Sequence, residues 1–201
     1  MKRKAYVVTV FGSARPRFGE AHYAEAHALG TALASKGFVV CSGGYAGVME
    51  AVSRGAKEAG GSTIGVTAKA LAPSANPWID EEIKVKTWEE RLFELVKRGH
   101  GYVVCRGGTG TLAELAVVWE MLNKGLMSGK PVVAMGEFWQ PVIACVAQAE
   151  LSHFSAKAAS CEKHIQFAQS AADAAIYLAA QFERVPSKRG RRLAKEARGF
   201  V

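Results

Sequence analysis

Residues 106–115 read RGGTGTLAEL: one arginine, three glycines and two threonines in six positions, then an apolar run holding a single carboxylate, Glu114. Glycine lets the main chain approach a ligand closely, and the free N–H groups that open a helix favour an anion. Backbone that bare beside a carboxylate suits a phosphorylated ligand on which the carboxylate acts at a second point. FGSARPRFG (11–19) and SGGYAGVME (42–50) have the same character. No GxxxxGK[ST] occurs, which excludes a P-loop. Gly108 to Ala113 fits G-x-G-x-x-[GA], but a dinucleotide fingerprint normally follows the first strand of its sheet, so a nicotinamide cofactor is not expected.

Glu114 has two readings. Thr111-Leu112-Ala113-Glu114 is a capping box, in which the glutamate only satisfies helix N–H groups. Alternatively it is an anion for a developing cation or for sugar hydroxyls. In both readings a place near a helix N-terminus favours the ionised form, which suits it poorly to general-acid work. Arg91 is equally divided. Thr87-Trp88-Glu89-Glu90 is a second capping box, so Arg91 falls near a first turn where a cation costs a few tenths of a kcal/mol, roughly, against the helix dipole. Either Glu94 at i+3 offsets that cost, or a ligand site does.

These residues need elements to position them. β-branched runs at 5–11, 38–42, 63–67, 83–86, 102–106 and 131–135, with a further candidate at 164–167, alternate with helix-compatible segments at 19–36, 46–60, 87–99, 111–124, 138–152 and 170–183. The alternation predicts an α/β fold with a mainly parallel, doubly wound sheet and helices on both faces. In such a sheet every strand-to-helix turn emerges at the carboxyl edge, so the three glycine loops should converge there. Any one of them could be an ordinary tight turn; three on one edge make a phosphate crevice. Residues 68–82, with two prolines, read as a mobile flap.

The remaining composition narrows the choices. At 201 residues and 49% hydrophobic the chain can bury one sizeable core, and residues 1–183 read as a single domain. Of the net charge of +8, residues 184–201 supply seven basic side chains against Glu196, so the basic character belongs to a tail expected to be flexible. The tail has no interleaved aromatics for base stacking, so nucleic acid is not the expected partner. No apolar run is long enough for a membrane span, and MKRKAYVVTVF lacks a cleavage site; a cytoplasmic protein is expected. Two aspartates, Asp80 and Asp173, and five scattered histidines offer no metal-ligand spacing, and neither metal nor cofactor is expected.

RGGTGTLAE resembles the PGGxGTxxE motif of the LOG family, the cytokinin-activating "lonely guy" proteins long mislabelled as lysine decarboxylases. WEERL (88–92) resembles that family's MxxRK stretch at the same upstream spacing, and the two other glycine loops have counterparts there, so the likeness covers about residues 5–150. The resemblance implies a Rossmann-like fold, a homodimer, and a phosphoribohydrolase that splits a nucleoside 5′-monophosphate such as AMP into free base and ribose 5-phosphate. It implies a catalytic pair, Arg91 and Glu114, with Gly12, Ser13, Gly43, Gly44, Gly47, Met49, Arg106, Gly107, Gly108, Thr109, Gly110 and Thr111 around the nucleotide and its phosphate. The sequence departs from the pattern at Arg106 (proline in the family), Trp88 (methionine), Leu92 (lysine) and Tyr45 (often a third glycine), which leaves room for a different substrate. Two rival readings resemble other members of the superfamily: a nucleotide or molybdenum-cofactor carrier without turnover, and a DprA-type single-strand DNA binder.

Overall fold

A computed structural model describes residues 5–71, 74–127, 129–153 and 161–184. The basic tail beyond Arg184 lies outside the described residues. Seven strands form one sheet: β1 (Val7–Phe11), β2 (Val39–Ser42), β3 (Thr63–Ala68), β4 (Glu81–Val85), β5 (Gly101–Val104), β6 (Val132–Met135) and β7 (Ile165–Ala168). Their spatial order is β4-β3-β2-β1-β5-β6-β7, and every pairing is parallel. The expected α/β Rossmann-like fold is what the chain adopts, with strand boundaries shifted by about two residues.

Among the described residues six α-helices cover the sheet: α1 (Ala21–Ser35), α2 (Val48–Glu58), α3 (Trp88–Arg98), α4 (Thr109–Asn123), α5 (Gln140–His153) and α6 (Ala171–Arg184). The central strands are apolar on both faces, as a parallel sheet covered on both sides requires. On one face Leu95, Leu115, Val118 and Ile143 of α3, α4 and α5 pack in one core cluster. On the other, Leu29, Leu33, Val52 and Leu178 of α1, α2 and α6 pack in a second. Between β3 and β4 the described residues of the connection form no helix, and β4 forms a largely exposed edge.

The chain leaves β1 in one direction to build β2, β3 and β4, then returns to the other side of β1 to build β5, β6 and β7. The strand order therefore reverses between β1 and β5, the place where an open parallel sheet makes its ligand crevice. The loops after β1 and β5 flank that point.

The segment read as a mobile flap is tied down where it is described. The Asn76 N–H donates to the Gly44 carbonyl at 2.7 Å and the Asn76 amide to the Tyr45 carbonyl at 2.9 Å. Asp80 accepts from Lys57 Nζ and from the Thr63 N–H. Polar side chains in the segment find backbone partners across the fold, which the sequence pattern did not disclose; residues 72 and 73 lie outside the described residues.

Candidate active site

Three loops meet at the carboxyl edge through Ser13. Its N–H donates to the Arg106 carbonyl at 3.2 Å, and its own carbonyl accepts from the Val48 N–H at 2.8 Å. The loop after β1 is thereby pinned to the loop after β5 and to the first turn of α2. These elements wall a crevice of about 930 Å³, lined by Gly12, Ser13, Met49, Arg91, Glu114 and the whole run Arg106–Thr111.

The crevice has a deep polar end. Arg91 is 6% exposed, held by Nε donating to the Val66 carbonyl at 2.8 Å, with a second guanidinium nitrogen 3.5 Å from the Met49 sulfur. Its guanidinium lies 5.3 Å from the centre of the Tyr45 ring and 3.8 Å from Glu114 Oε1. Tyr45 is fixed in turn, its hydroxyl donating to the Ala68 carbonyl and accepting from the Ala68 N–H. Glu94 pairs instead with Arg98 at 2.7 Å, so the intrahelical partner considered for Arg91 is engaged elsewhere. The groups that face the cation are the Val66 carbonyl and the Glu114 carboxyl, both from other elements.

Glu114 differs from both sequence readings in its ionisation. The helix begins at Thr109 with Gly108 as N-cap and no side-chain cap, so Glu114 lies in the second turn and makes no capping box with Thr111. Away from the free N–H groups and buried, its carboxyl is pushed up to about 7 by desolvation, with the Arg91 charge pulling it partly back. The expectation of a firmly ionised carboxylate is overturned: removal from water outweighs the helix end. Burial in turn lowers the Arg91 pKa, against which Glu114 acts. The α3 N-cap does form, with the Thr87 hydroxyl accepting from the Glu90 N–H at 3.2 Å, while the Glu90 carboxylate accepts from the Lys86 N–H at 2.8 Å.

At the other end the first turn of α4 faces the crevice. Its first backbone bond runs from the Leu112 N–H to the Gly108 carbonyl, leaving the preceding N–H groups of Thr109, Gly110 and Thr111 ahead of the helical ladder. A methyl group added at Gly108 or Gly110 would meet nothing within 4 Å, whereas at Gly107 it would overlap the Thr111 side chain. Gly43, Gly44 and Gly47, expected around the nucleotide and its phosphate, are not among the residues that line the crevice. A Cβ at Gly43 would overlap the Arg91 guanidinium, and one at Gly47, whose φ is 69°, would overlap Ser13 and Ala14.

Residues that sequence reasoning did not assign also line the crevice: Arg15, Pro16, Glu20, His22, Trp88 and Phe138. Arg106 stacks its guanidinium 4.7 Å from the Phe138 ring centre. Arg15 and Arg17 in FGSARPRFG were a readable sign of charge near that loop; Phe138 comes from the far side of β6 and carried none. Among the described residues no group of three or more His, Cys, Asp or Glu could hold a metal ion, and no helix is long and apolar enough to cross a membrane. Cys41 and Cys105 are free and buried, their thiols pushed up to about 12 by burial.

Comparison with known proteins places these features. Residues 5–174 match the model of the SLOG cluster4 family. A protein of Mycobacterium marinum named cytokinin riboside 5′-monophosphate phosphoribohydrolase is 36% identical over 117 residues, covering 57% of this chain and 62% of that protein's length. A protein of the same name from Rhodococcoides fascians is 28% identical over 153 residues, 73% of this chain and 77% of that one. Among solved structures, the molybdenum cofactor binding protein of Rippkaea orientalis superposes with a TM-score of 0.70 at 23% identity, covering 90% of this chain and 99% of that one, a likeness of fold.

Proposed function

The chain belongs to the SLOG cluster4 family, and from that premise we propose that it is a nucleoside 5′-monophosphate phosphoribohydrolase, a hydrolase of N-glycosyl bonds. The observation that carries this reading is the pairing of Arg91 and Glu114 at 3.8 Å at the deep end of a crevice whose other end is the open first turn of α4. The α4 N–H groups take the 5′-phosphate, with Gly108 and Gly110 letting it approach. The ribose then lies toward Glu114. Names borne by the mycobacterial and rhodococcal relatives support the same activity.

In the reaction the C1′–N bond breaks with its electron pair leaving on the base, which takes up a proton. Water supplies the new C1′–O bond and loses a proton. Ionised Glu114 stabilises the oxocarbenium-like state or receives the proton of water, and a carboxyl poised near 7 does either close to neutrality. Arg91, fixed by the Val66 carbonyl, holds the sugar and keeps Glu114 ionisable. The protein works as a homodimer, for which Phe93 and Leu112, exposed on α3 and α4, provide apolar surface, and its free thiols fit the reducing cytosol.

The test is release of free base from a panel of nucleoside 5′-monophosphates, AMP among them, by wild type and by Glu114→Gln. Release that falls at least about a hundredfold in the variant supports the ribosidase. A nucleotide bound tightly with no release from any member replaces it with the non-catalytic carrier, and sedimentation reads the dimer.

A further inference from the structure

A second cavity, of about 690 Å³, opens beyond the phosphate loop. It lies over the carboxyl ends of β5, β6 and β7, and neither Arg91 nor Glu114 lines it. Its walls are mainly apolar, with Val48, Met135, Pro141 and Ala171 among them, and Glu25, Glu137, Gln169 and Ser170 add polar groups, the two carboxylates suiting hydroxyls of an uncharged appended group and not a further phosphate. His22, Arg106 and Phe138 line both cavities, so the stacked Arg106–Phe138 pair stands at their junction. The first turn of α6 is not the attraction there, because Ser170 already caps it by accepting from the Asp173 N–H.

The order of parts along the edge constrains what could occupy this space. Given the reading of the first crevice above, on which this inference rests, C1′ and the base lie toward Glu114 and the 5′-phosphate lies at the α4 turn. The second cavity is then reached from the phosphate, not from the base. A nucleoside monophosphate already fits within pockets at the low end of the ~300–1,000 Å³ that small-molecule sites span, and the first crevice alone exceeds that low end several-fold. Arg15 and Arg106 add cations on the phosphate side that one phosphate does not need. Sheets with this reversal of strand order bind two-part ligands with one half on each side of the switch point.

We propose that the two cavities joined at Arg106 and Phe138 form one extended site for a nucleoside 5′-diphosphate that carries a further group on its second phosphate. The nucleoside occupies the Arg91–Glu114 crevice, the diphosphate crosses the α4 turn beneath Arg106, and the appended group enters the cavity under α1 and α6. Arg106, where the resembled family has proline, is the residue that selects for the second phosphate.

The test uses ADP-ribose as probe and AMP as reference, with dissociation constants measured by calorimetry on the full chain. Wild type binds ADP-ribose at least tenfold more tightly than AMP. Ala171→Phe, which fills the second cavity from a partly buried position at the start of α6, and Arg106→Ala each bring the ratio of the two constants toward one, with thermal melting recorded to confirm that both variants fold. Equal affinities in wild type, or a preference that survives Ala171→Phe, overturns the proposal. Base release from AMP is followed in the same samples: its absence defeats the ribosidase reading but leaves the affinity ratio to decide the extended site.

Discussion

Two glycine loops that look alike in sequence do different work. The glycines after β2 face inward: Gly43 leaves room for the Arg91 guanidinium, Gly44 lies close over Gly65, and Gly47 lets α2 seat against Ser13, whose carbonyl takes the Val48 N–H. The helix end they introduce is closed by the protein's own backbone. After β5, Gly108 and Gly110 face open space, and the helix end stays free. One loop shapes the interior that seats the Arg91 guanidinium; the other presents open backbone to the crevice. A glycine-rich turn therefore says that something comes close, without saying whether it is the protein or its substrate.

The largest expected effect concerns what the inward loop builds. Glu114 ionises near 7 in the fold and near 4.5 when unfolded, so between those values the native state holds the extra proton and stability falls as pH rises. Replacing it by glutamine should raise stability by roughly 3 kcal/mol above pH 7 and change it little at pH 4.5, read from urea melts at both pH values. Equal effects at the two would mean that the pair is not strained. Next, Gly43→Ala should displace the guanidinium and reduce kcat/KM about a hundredfold, since an ångström of misplacement is that costly. Gly47→Ala should cost about 2 kcal/mol of stability, because alanine must adopt a positive φ against Ser13.

In the outward loop, Gly110→Ala should leave the melting temperature unchanged or higher, alanine being the better helix former by about 0.5–1 kcal/mol, while KM rises roughly tenfold. If it destabilises as Gly47→Ala does, the contrast between the loops fails. The smallest signal is in the pH–rate profile. The ascending limb of kcat/KM should have its midpoint near 7, and in Gly43→Ala it should move upward, because the Arg91 charge that lowers the Glu114 pKa is moved away. A downward move would contradict the assignment.

The sheet, its winding and the convergence of the loops were readable because apolar runs alternate with amphipathic ones in a regular order. The fine structure of the site was not. T-x-x-E at 111–114 fits a capping box, but the pattern is short, and Gly108 in extended backbone starts the helix earlier. Glu94, three residues from Arg91, is one of the two readings the spacing offers for what offsets that charge, yet Arg91 Nε donates to the Val66 carbonyl of β3, which helix-on-sheet packing brings close. Tyr45 was noticed only as a departure from a motif, whereas its ring walls the guanidinium. The first miss is local, a helix start three residues earlier than the box; the other two are contacts made in space between residues distant in the chain, a distance that local pattern does not measure.

The reversal of strand order also has a kinetic side. β1 pairs with β2 soon after it, but its other edge waits for β5, with Val8 opposite Gly101. During synthesis the first half of the sheet must keep that edge unpaired while the chain through α3 is made, a state open to mispairing with a second molecule. Arg91 is synthesised before its carboxylate partner, because Glu114 follows the strand that closes the gap. Assembly of the active site thus coincides with sealing of the central edge, and base release should appear in refolding only in the phase that joins β5 to β1.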